Sequence, residues 1–441
     1  MTIYALAAPP GRGAIAIIRL SGGHTQKVVE KLTGKASPEP RLAALRVLSD
    51  PETGDPIDSG LVLFFQAPHS YTSEDMAELH IHGGVAIVDR ILEVLSGLED
   101  LRPAEPGEFT RLAVLNGRMD LTQAEAVADM IDAETMAQQK QAFRQMQGAL
   151  GELYEGWRKK LASSLAHLEA DIEFADEDLP GGIGQAVLGE VTLLNDEISA
   201  HIRDDRGRTL RHGVEIAIIG APNVGKSSLL NRLLGYQRAI VSSKEGTTRD
   251  TIEEVVNLRG IPLRLIDTAG VRESSDEIEQ EGIAMTHGQV ARADLVLVIW
   301  DLSESFVDSA EVSIPDGARR LDILNKSDLE DVSWAGVKGL RISCESGSGF
   351  EDLESAISKL LSLDEAQWGD HSVAVNARHQ ACLTRAQSSL TRAITSLRAG
   401  DEPELTALDL REALTAIGEI AGIVDTEEIL GEIFGNFCIG K

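Results

Sequence analysis

Apolar residues recur along this chain with different periods in different stretches. In residues 3–115, short runs such as Ala14-Ile15-Ala16-Ile17-Ile18-Arg19-Leu20 and Gly60-Leu61-Val62-Leu63-Phe64-Phe65 alternate with Gly- and Pro-rich turns, the pattern of an α+β domain. One helix is expected there, over residues 86–95. From residue 121 to about residue 210 the period lengthens, and Leu153, Trp157, Leu161, Leu165, Leu168 and Ile172 form a helical stripe with charges between them. Helical spacing returns after about residue 372, in Leu383, Leu390, Ile394 and Leu397, and again from Leu410 through Ile433.

Between the helical stretches, strand-like runs at Val214, Leu263, Leu295, Asp322 and Leu340 mark an α/β segment. Neither helical stretch has partners enough to bury its stripe alone. The economical arrangement packs both into one helical domain with the α/β segment inserted. The expected organisation is therefore multidomain: an α+β domain over residues 1–115, a helical domain over 116–212 and 366–441, and an α/β domain over 213–365.

Length and composition agree with this reading. A chain of 441 residues suits roughly three domains at the usual size, and 43% hydrophobic residues can fill their cores. With 41 basic and 71 acidic residues the formal charge is -30, whose mean field repels phosphate backbones. Any RNA contact is expected to be local or lent by a partner. No basic flank precedes an apolar signal core at the N-terminus, and no run reaches the roughly 18 apolar residues of a membrane helix. A cytoplasmic protein with no membrane association is expected. The cysteines Cys344, Cys382 and Cys438 lack the paired spacing of a disulfide framework or a zinc site.

The candidate chemistry lies in the α/β segment. A strand-like run ends in Gly220-Ala221-Pro222-Asn223-Val224-Gly225-Lys226-Ser227, followed by helix-compatible Ser228 to Leu234, which is G-x-x-x-x-G-K-[ST] in strand-loop-helix context. The glycines let backbone N–H groups surround a β-phosphate, Lys226 supplies a cation to the β/γ oxygens, and Ser227 can ligate magnesium. Downstream, Leu263-Arg264-Leu265-Ile266 runs into Asp267-Thr268-Ala269-Gly270, a carboxylate for magnesium's outer shell and a Gly N–H for the γ-phosphate. Asn325-Lys326-Ser327-Asp328 ends a further strand. There Asp328 can accept from guanine N1 and N2, a donor pair that adenine lacks. Ser343-Cys344-Glu345 resembles the last guanine-contacting element of GTPases, usually Ser-Ala. These motifs in this order read as a P-loop GTPase domain.

The place that often carries a water-orienting Gln, directly after Asp-Thr-Ala-Gly, holds Val271, so hydrolysis has to be organised differently. The acidic stretch from Arg272 to Glu281 contains the alternatives. By composition alone each of its carboxylates reads as part of a solvated helix start.

The array Asn223 to Ser227, then Glu245-Gly246-Thr247-Thr248-Arg249-Asp250, then Asp267 to Arg272, resembles the MnmE (TrmE) family of tRNA-modification GTPases. Further pieces carry the resemblance across the whole chain: Glu78-Leu79-His80-Ile81-His82-Gly83-Gly84, Pro106-Gly107-Glu108-Phe109-Thr110, Leu115 to Leu121, and the terminal Phe437-Cys438-Ile439-Gly440-Lys441. Cys438 stands where a prenylation box would begin, but Gly440 and Lys441 do not suit one. Alone, His80 and His82 would read as strand residues flanking a turn.

The resemblance implies a folate-binding, homodimerising N-terminal domain. Arg19, Glu78, Arg118 and Lys441 would contact a 5-formyltetrahydrofolate-type ligand. Relatives often carry Lys where this chain has Arg118, which keeps the charge and changes the geometry. In the nucleotide domain it implies GTP contacts from Asn223, Val224, Gly225, Lys226, Ser227 and Ser228, from Ser242, Ser243, Lys244, Glu245, Gly246, Thr247 and Thr248, and from Asp267, Thr268, Ala269 and Gly270. Asn325, Lys326, Asp328, Ser343 and Cys344 would complete them. Ser227 and Thr248 would hold Mg2+. Asn223, Ser242, Lys244 and Thr247 would hold K+ in place of an arginine finger.

Glu279 would orient the hydrolytic water, joining Lys226 and Asn223 as catalytic. Cys438 would serve chemistry or structure, a lone buried Cys being more often structural. The implied activity is GTP hydrolysis coupled to addition of an aminomethyl-type group at C5 of wobble uridine in certain tRNAs. The implied partner is an MnmG (GidA)-type flavoprotein carrying FAD, in a heterotetramer-like complex, with folate supplying the one-carbon unit.

Two rivals remain at this point. A ribosome-assembly GTPase would use the same nucleotide motifs, but has no use for the Glu78 to Gly84 motif or the terminal Cys-Ile-Gly-Lys. A stand-alone folate aminomethyltransferase would account for the first 115 or so residues and leave the nucleotide domain unexplained.

Overall fold

The computed structural model describes residues 1–173, 183–204, 206–236, 253–267, 290–304, 314, 318–329, 338–361, 376–422, 433–435, 437 and 439–440, with backbone alone at 183, 236, 253, 254 and 267. Its contacts divide the chain into two units, one of Met1–Ala128, Gln145–Asp196 and Ala381–Lys441, the other of Asp129–Arg144 and Glu197–Gln380.

The first unit contains a six-stranded sheet in the order β3-β4-β5-β2-β1-β6, formed by Thr2–Leu6 (β1), Ile15–Ser21 (β2), Ala44–Ser49 (β3), Pro56–Phe65 (β4), Met76–His82 (β5) and Leu101–Pro103 (β6). Its pairings are antiparallel except β1 with β6. Period-two alternation decides the faces. Ala16, Ile18 and Leu20 of β2 are buried in one core with Val28, Val29 and Leu32 of α1 (Thr25–Thr33) and Ile91 and Leu95 of α2 (Val85–Ser96). Arg19 therefore points to the other face. There Phe109 of α3 (Glu108–Leu115) packs with Ile3, Ala5 and Tyr71.

The expected single helix at 86–95 is α2, and two more flank it in sequence. Both are short, eight and nine residues, too short for a helical period to stand out against the strand pattern.

Helices α4 (Leu121–Asp132), α5 (Met136–Met146), α6 (Ala149–Glu173), α7 (Ile183–Ile202) and α8 (Arg206–His212) follow. On α6 the apolar stripe buries Tyr154, Trp157, Leu161, Leu165 and Leu168. This helix packs on the helix Pro403–Ala421, which Arg411 and Glu169 also join through an ion pair of 2.5 Å. The expected helical run from Leu410 through Ile433 is broken at Gly422, and residues 423–432 lie outside the described residues. Gly422, at φ +79°, caps the helix in the left-handed conformation, and an added Cβ there would lie 2.8 Å from the Leu121 side chain.

The second unit is built on a sheet in the order β12-β11-β10-β7-β9-β8, with strands Val214–Ile219 (β7), Glu253–Leu258 (β8), Ile261–Asp267 (β9), Leu295–Asp301 (β10), Arg320–Asn325 (β11) and Leu340–Arg341 (β12). All pairings are parallel except the β8–β9 hairpin. A parallel strand covered on both faces needs apolar residues on both, and all seven residues of β10 are buried. From β7 the chain passes to β9 on one side and to β10 on the other. The strand order reverses there, so the crevice at the carboxyl end of β7 is where such a sheet receives ligands.

Candidate functional site

The crevice beyond β7 is lined by the Gly220 to Ser227 loop. Gly220 follows the strand so closely that an added Cβ would lie 2.5 Å from the Ile299 carbonyl oxygen. Asn223 takes φ +64°, and Gly225, at φ +104°, has room for no side chain because Asn325 Nδ2 would lie 2.2 Å from its Cβ. The chain then enters α9 (Lys226–Tyr236), so the first N–H groups of that helix face the loop. Lys226 Nζ donates to the carbonyl oxygens of Gly220 and Ala221, both at 2.8 Å. Ser227 and Ser228 are exposed at the start of the helix.

Asn325 joins this loop to two others. Its side chain is 2% exposed. Nδ2 donates to Val224 O at 2.8 Å, while Oδ1 accepts from Cys344 N at 3.1 Å. Thus the end of β11, the phosphate-type loop and the Ser343-Cys344-Glu345 loop are tied by one amide. Lys326, at φ +64°, pairs with the Asp301 carboxylate. Burial pushes the Asp301 carboxyl up, but the hydrogen bonds from Lys326 and Ser303 outweigh it and hold it below the ordinary value. Asp328 is exposed in the turn after β11. Ser343 is fully buried and its Oγ accepts from Ser346 N at 3.0 Å. Burial pushes the Cys344 thiol up to about 11, so it is neutral near pH 7.

Asp301 was not among the residues singled out from sequence. Its signal was present: a carboxylate ending a wholly apolar strand needs a counter-charge, and the following strand ends in Asn325-Lys326. Strand β9 ends at Asp267, whose backbone pairs in register with Ile218. Ser242, Ser243, Lys244, Glu245, Gly246, Thr247, Thr248, Thr268, Ala269, Gly270 and Glu279 lie outside the described residues, as does the Asp267 side chain.

A second polar cluster sits on the α3 side of the first unit's sheet. Arg19 and Glu78 are opposite each other in the β2–β5 register, and Arg19 Nη2 donates to Glu78 Oε1 at 3.0 Å. His80 Nε2 lies 3.2 Å from Glu78 Oε2. The Arg19 guanidinium is 5.6 Å from the Tyr71 ring centre and 5.7 Å from that of Phe109. Tyr71 is itself bonded to Thr110, and its phenol is raised by burial.

The C-terminal segment reaches this cluster, because Arg19 Nη1 donates to Gly440 O at 3.2 Å. Gly440, at φ +95°, approaches β1 so closely that an added Cβ would lie 2.4 Å from Leu6 O. Arg118 is exposed in the turn after α3, and among the described residues its guanidinium forms no hydrogen bond or ion pair with Arg19 or Glu78. Cys438 and Lys441 lie outside the described residues. His82 is on the same strand as His80, but its Nδ1 pairs with Asp58 at 2.8 Å.

Among the described residues no helix is long and apolar enough to cross a membrane, and no three His, Cys, Asp or Glu side chains gather to hold a metal ion. Residues 2–118 match the family described as GTP-binding protein TrmE N-terminus, and residues 121–438 match the MnmE helical domain. The chain is 47% identical to the tRNA modification GTPase MnmE of Parvibaculum lavamentivorans over the whole of both chains. It is 41% identical to that of Aquifex aeolicus, over all of this chain and 99% of the relative. Among solved structures, the G domain of the T. maritima FeoB iron transporter matches 34% of this chain and 98% of its own, at 24% identity and TM-score 0.25.

Proposed function

The chain belongs to the MnmE family of GTPases, and on that premise we propose that it hydrolyses GTP to drive modification of tRNA. The modification is addition of an aminomethyl or carboxymethylaminomethyl group at C5 of wobble uridine. The chain acts in the cytoplasm as a homodimer, with an FAD-containing partner of the MnmG (GidA) type, and a tetrahydrofolate supplies the one-carbon unit. The observation that carries the nucleotide reading is the Asn325 amide, which ties the phosphate-type loop to both base-recognition elements.

In this reading the N–H groups at the start of α9 and the Lys226 ammonium receive the β- and γ-phosphates, exchanging the carbonyls of Gly220 and Ala221 for phosphate oxygens. Asp328 accepts from guanine N1 and N2. Asp301 holds Lys326 in place beside it. Glu279 orients the attacking water.

Exposed Ser227 would hold a magnesium ion together with Thr248. Exposed Asn223 would hold a potassium ion together with Ser242, Lys244 and Thr247. When bound, these cations offset the negative charge that grows between the β- and γ-phosphates. Arg19 and Glu78, with the half-buried Tyr71 ring beside them, offer a cation, an anion and a flat aromatic group, which suits the mixed charges of a pterin with a glutamate tail. Arg118 and Lys441 would add cations for that tail, and Cys438 would lie near the one-carbon unit.

The test is phosphate release from GTP by wild-type and Glu279→Ala protein in potassium and sodium buffers of equal ionic strength. Potassium stimulation that disappears in the variant, with nucleotide binding retained, is the expected result. Equal rates in both salts, or an undamaged variant, would remove the cation-assisted mechanism and restore the reading as an assembly GTPase.

A further inference from the structure

Arg232 lies on α9, six residues beyond Lys226, and a charged side chain on a helix ordinarily reaches into solvent. The structure gives it other partners. Its Nη1 donates to the carbonyl oxygens of Cys344 at 3.3 Å and Glu345 at 3.2 Å. Its Cζ lies 5.8 Å from the centre of the Phe350 ring, at the start of the helix Phe350–Leu360. Gly347, at φ +86°, leaves room for it, because an added Cβ there would lie 2.0 Å from Nη2. The Ser343 to Phe350 segment is thus built around this guanidinium.

We propose that Arg232 is a positioning residue for guanine recognition. By holding the Cys344 and Glu345 carbonyls, it aims the backbone N–H of Glu345 at the base's O6 oxygen. In a trans peptide the C=O and N–H point in opposite directions. With the Cys344 carbonyl directed at α9, the N–H of Glu345 is directed away from it. With the Glu345 carbonyl held likewise, the next N–H, of Ser346, closes the turn on Ser343 Oγ at 3.0 Å. Among the described residues no acceptor is bonded to the Glu345 N–H.

Guanine O6 is an acceptor, whereas adenine presents an amino donor at that position. A fixed N–H there therefore favours the first and opposes the second. Because α9 begins in the phosphate-type loop, Arg232 also joins the phosphate and base ends of the crevice. Both bonds come from Nη1, so a lysine keeps the charge and the donors but loses the planar guanidinium that stands over the Phe350 ring.

The inference rests on the GTP-site reading, and the experiment separates the two. Binding of fluorescent mant-GDP and mant-IDP is measured for wild type, Arg232→Ala and Arg232→Lys, with GTP turnover at saturation and melting curves alongside. Losing charge-assisted hydrogen bonds that hold the loop is expected to weaken Arg232→Ala roughly tenfold for both nucleotides, since inosine keeps O6, with kcat unchanged. Arg232→Lys should fall between the two, and it carries the test if the alanine variant does not fold. Unchanged affinity in both variants, or a loss for mant-GDP but not for mant-IDP, would overturn the O6 role. A wild type that binds neither nucleotide would instead overturn the GTP site itself.

Discussion

Asn325 Nδ2 donates to the Val224 carbonyl oxygen at 2.8 Å, across 101 positions of sequence, inside a site where the asparagine is 2% exposed. An amide buried between a carbonyl and the Cys344 N–H satisfies both, and truncation leaves both unpaired. Asn325→Ala should therefore cost the fold on the order of 2–6 kcal/mol, since each of the two groups left without a partner costs about 1–3 kcal/mol. Nucleotide affinity should fall with it, as the loops separate. Melting curves with and without GDP check both.

Asp328 is exposed after β11, and the proposed role for it is to accept the N1 and N2 hydrogens of guanine. Replacing the carboxylate by an amide exchanges an acceptor for a donor. Asp328→Asn should then prefer xanthine, which carries an oxygen at C2, over guanine by roughly tenfold or more. Competition between GDP and XDP for the variant measures this. Unaltered preference for GDP would remove Asp328 from the base contact.

The nucleotide loop was legible in the sequence because its spacing is set by the phosphate and its glycines by close approach: Gly225 cannot carry a side chain beside Asn325. The five parallel strands of the second sheet were legible because parallel strands bury both faces, as β10 does, whereas β8, paired antiparallel at the sheet's edge, was not read from the sequence. The Arg232 link was not, because a charged helix residue reads as solvated until the fold brings Cys344, 112 positions away, beneath it. Nor was the contact of Arg19 with Gly440, 421 positions apart, visible as a contact. Periodicity reports which face is buried and says nothing about what covers it.

That tail contact carries its own prediction. Gly440→Ala adds a methyl group 2.4 Å from Leu6 O and should lift the terminal segment from the Arg19 cluster. Arg19→Ala removes the guanidinium from the same contact and from Glu78. Both variants should weaken 5-formyltetrahydrofolate binding by roughly tenfold or more, the scale of losing a charge-assisted hydrogen bond, while leaving GTP turnover intact. Calorimetric titration with the folate, beside a turnover assay, checks the separation.

Burial lowers the pKa of His201, with the neighbouring His379 acting the same way and Asp204 opposing. Burial also lowers His212, assisted by Arg211, Arg264 and Arg208. A histidine with a depressed folded-state pKa binds fewer protons in the fold than in the unfolded chain, so stability rises with pH across the interval between the two values. The contribution is complete above about 6.5, the unfolded value, and is lost as pH falls toward the lowered folded values. Wild-type melting temperature should therefore drop between about pH 7 and pH 5, and a His201→Gln/His212→Gln double variant should drop less. An equal slope in both proteins would show that these two histidines do not set it.

The most direct measurement is phosphate release by the purified protein with GTP and ATP side by side, in potassium buffer. The Asn325-tied crevice, with the base contacts proposed for Asp328 and the Glu345 N–H, predicts turnover of GTP at least roughly a hundredfold above ATP. Equal turnover of the two nucleotides, or none of either, would contradict the assignment of this crevice to guanine nucleotides.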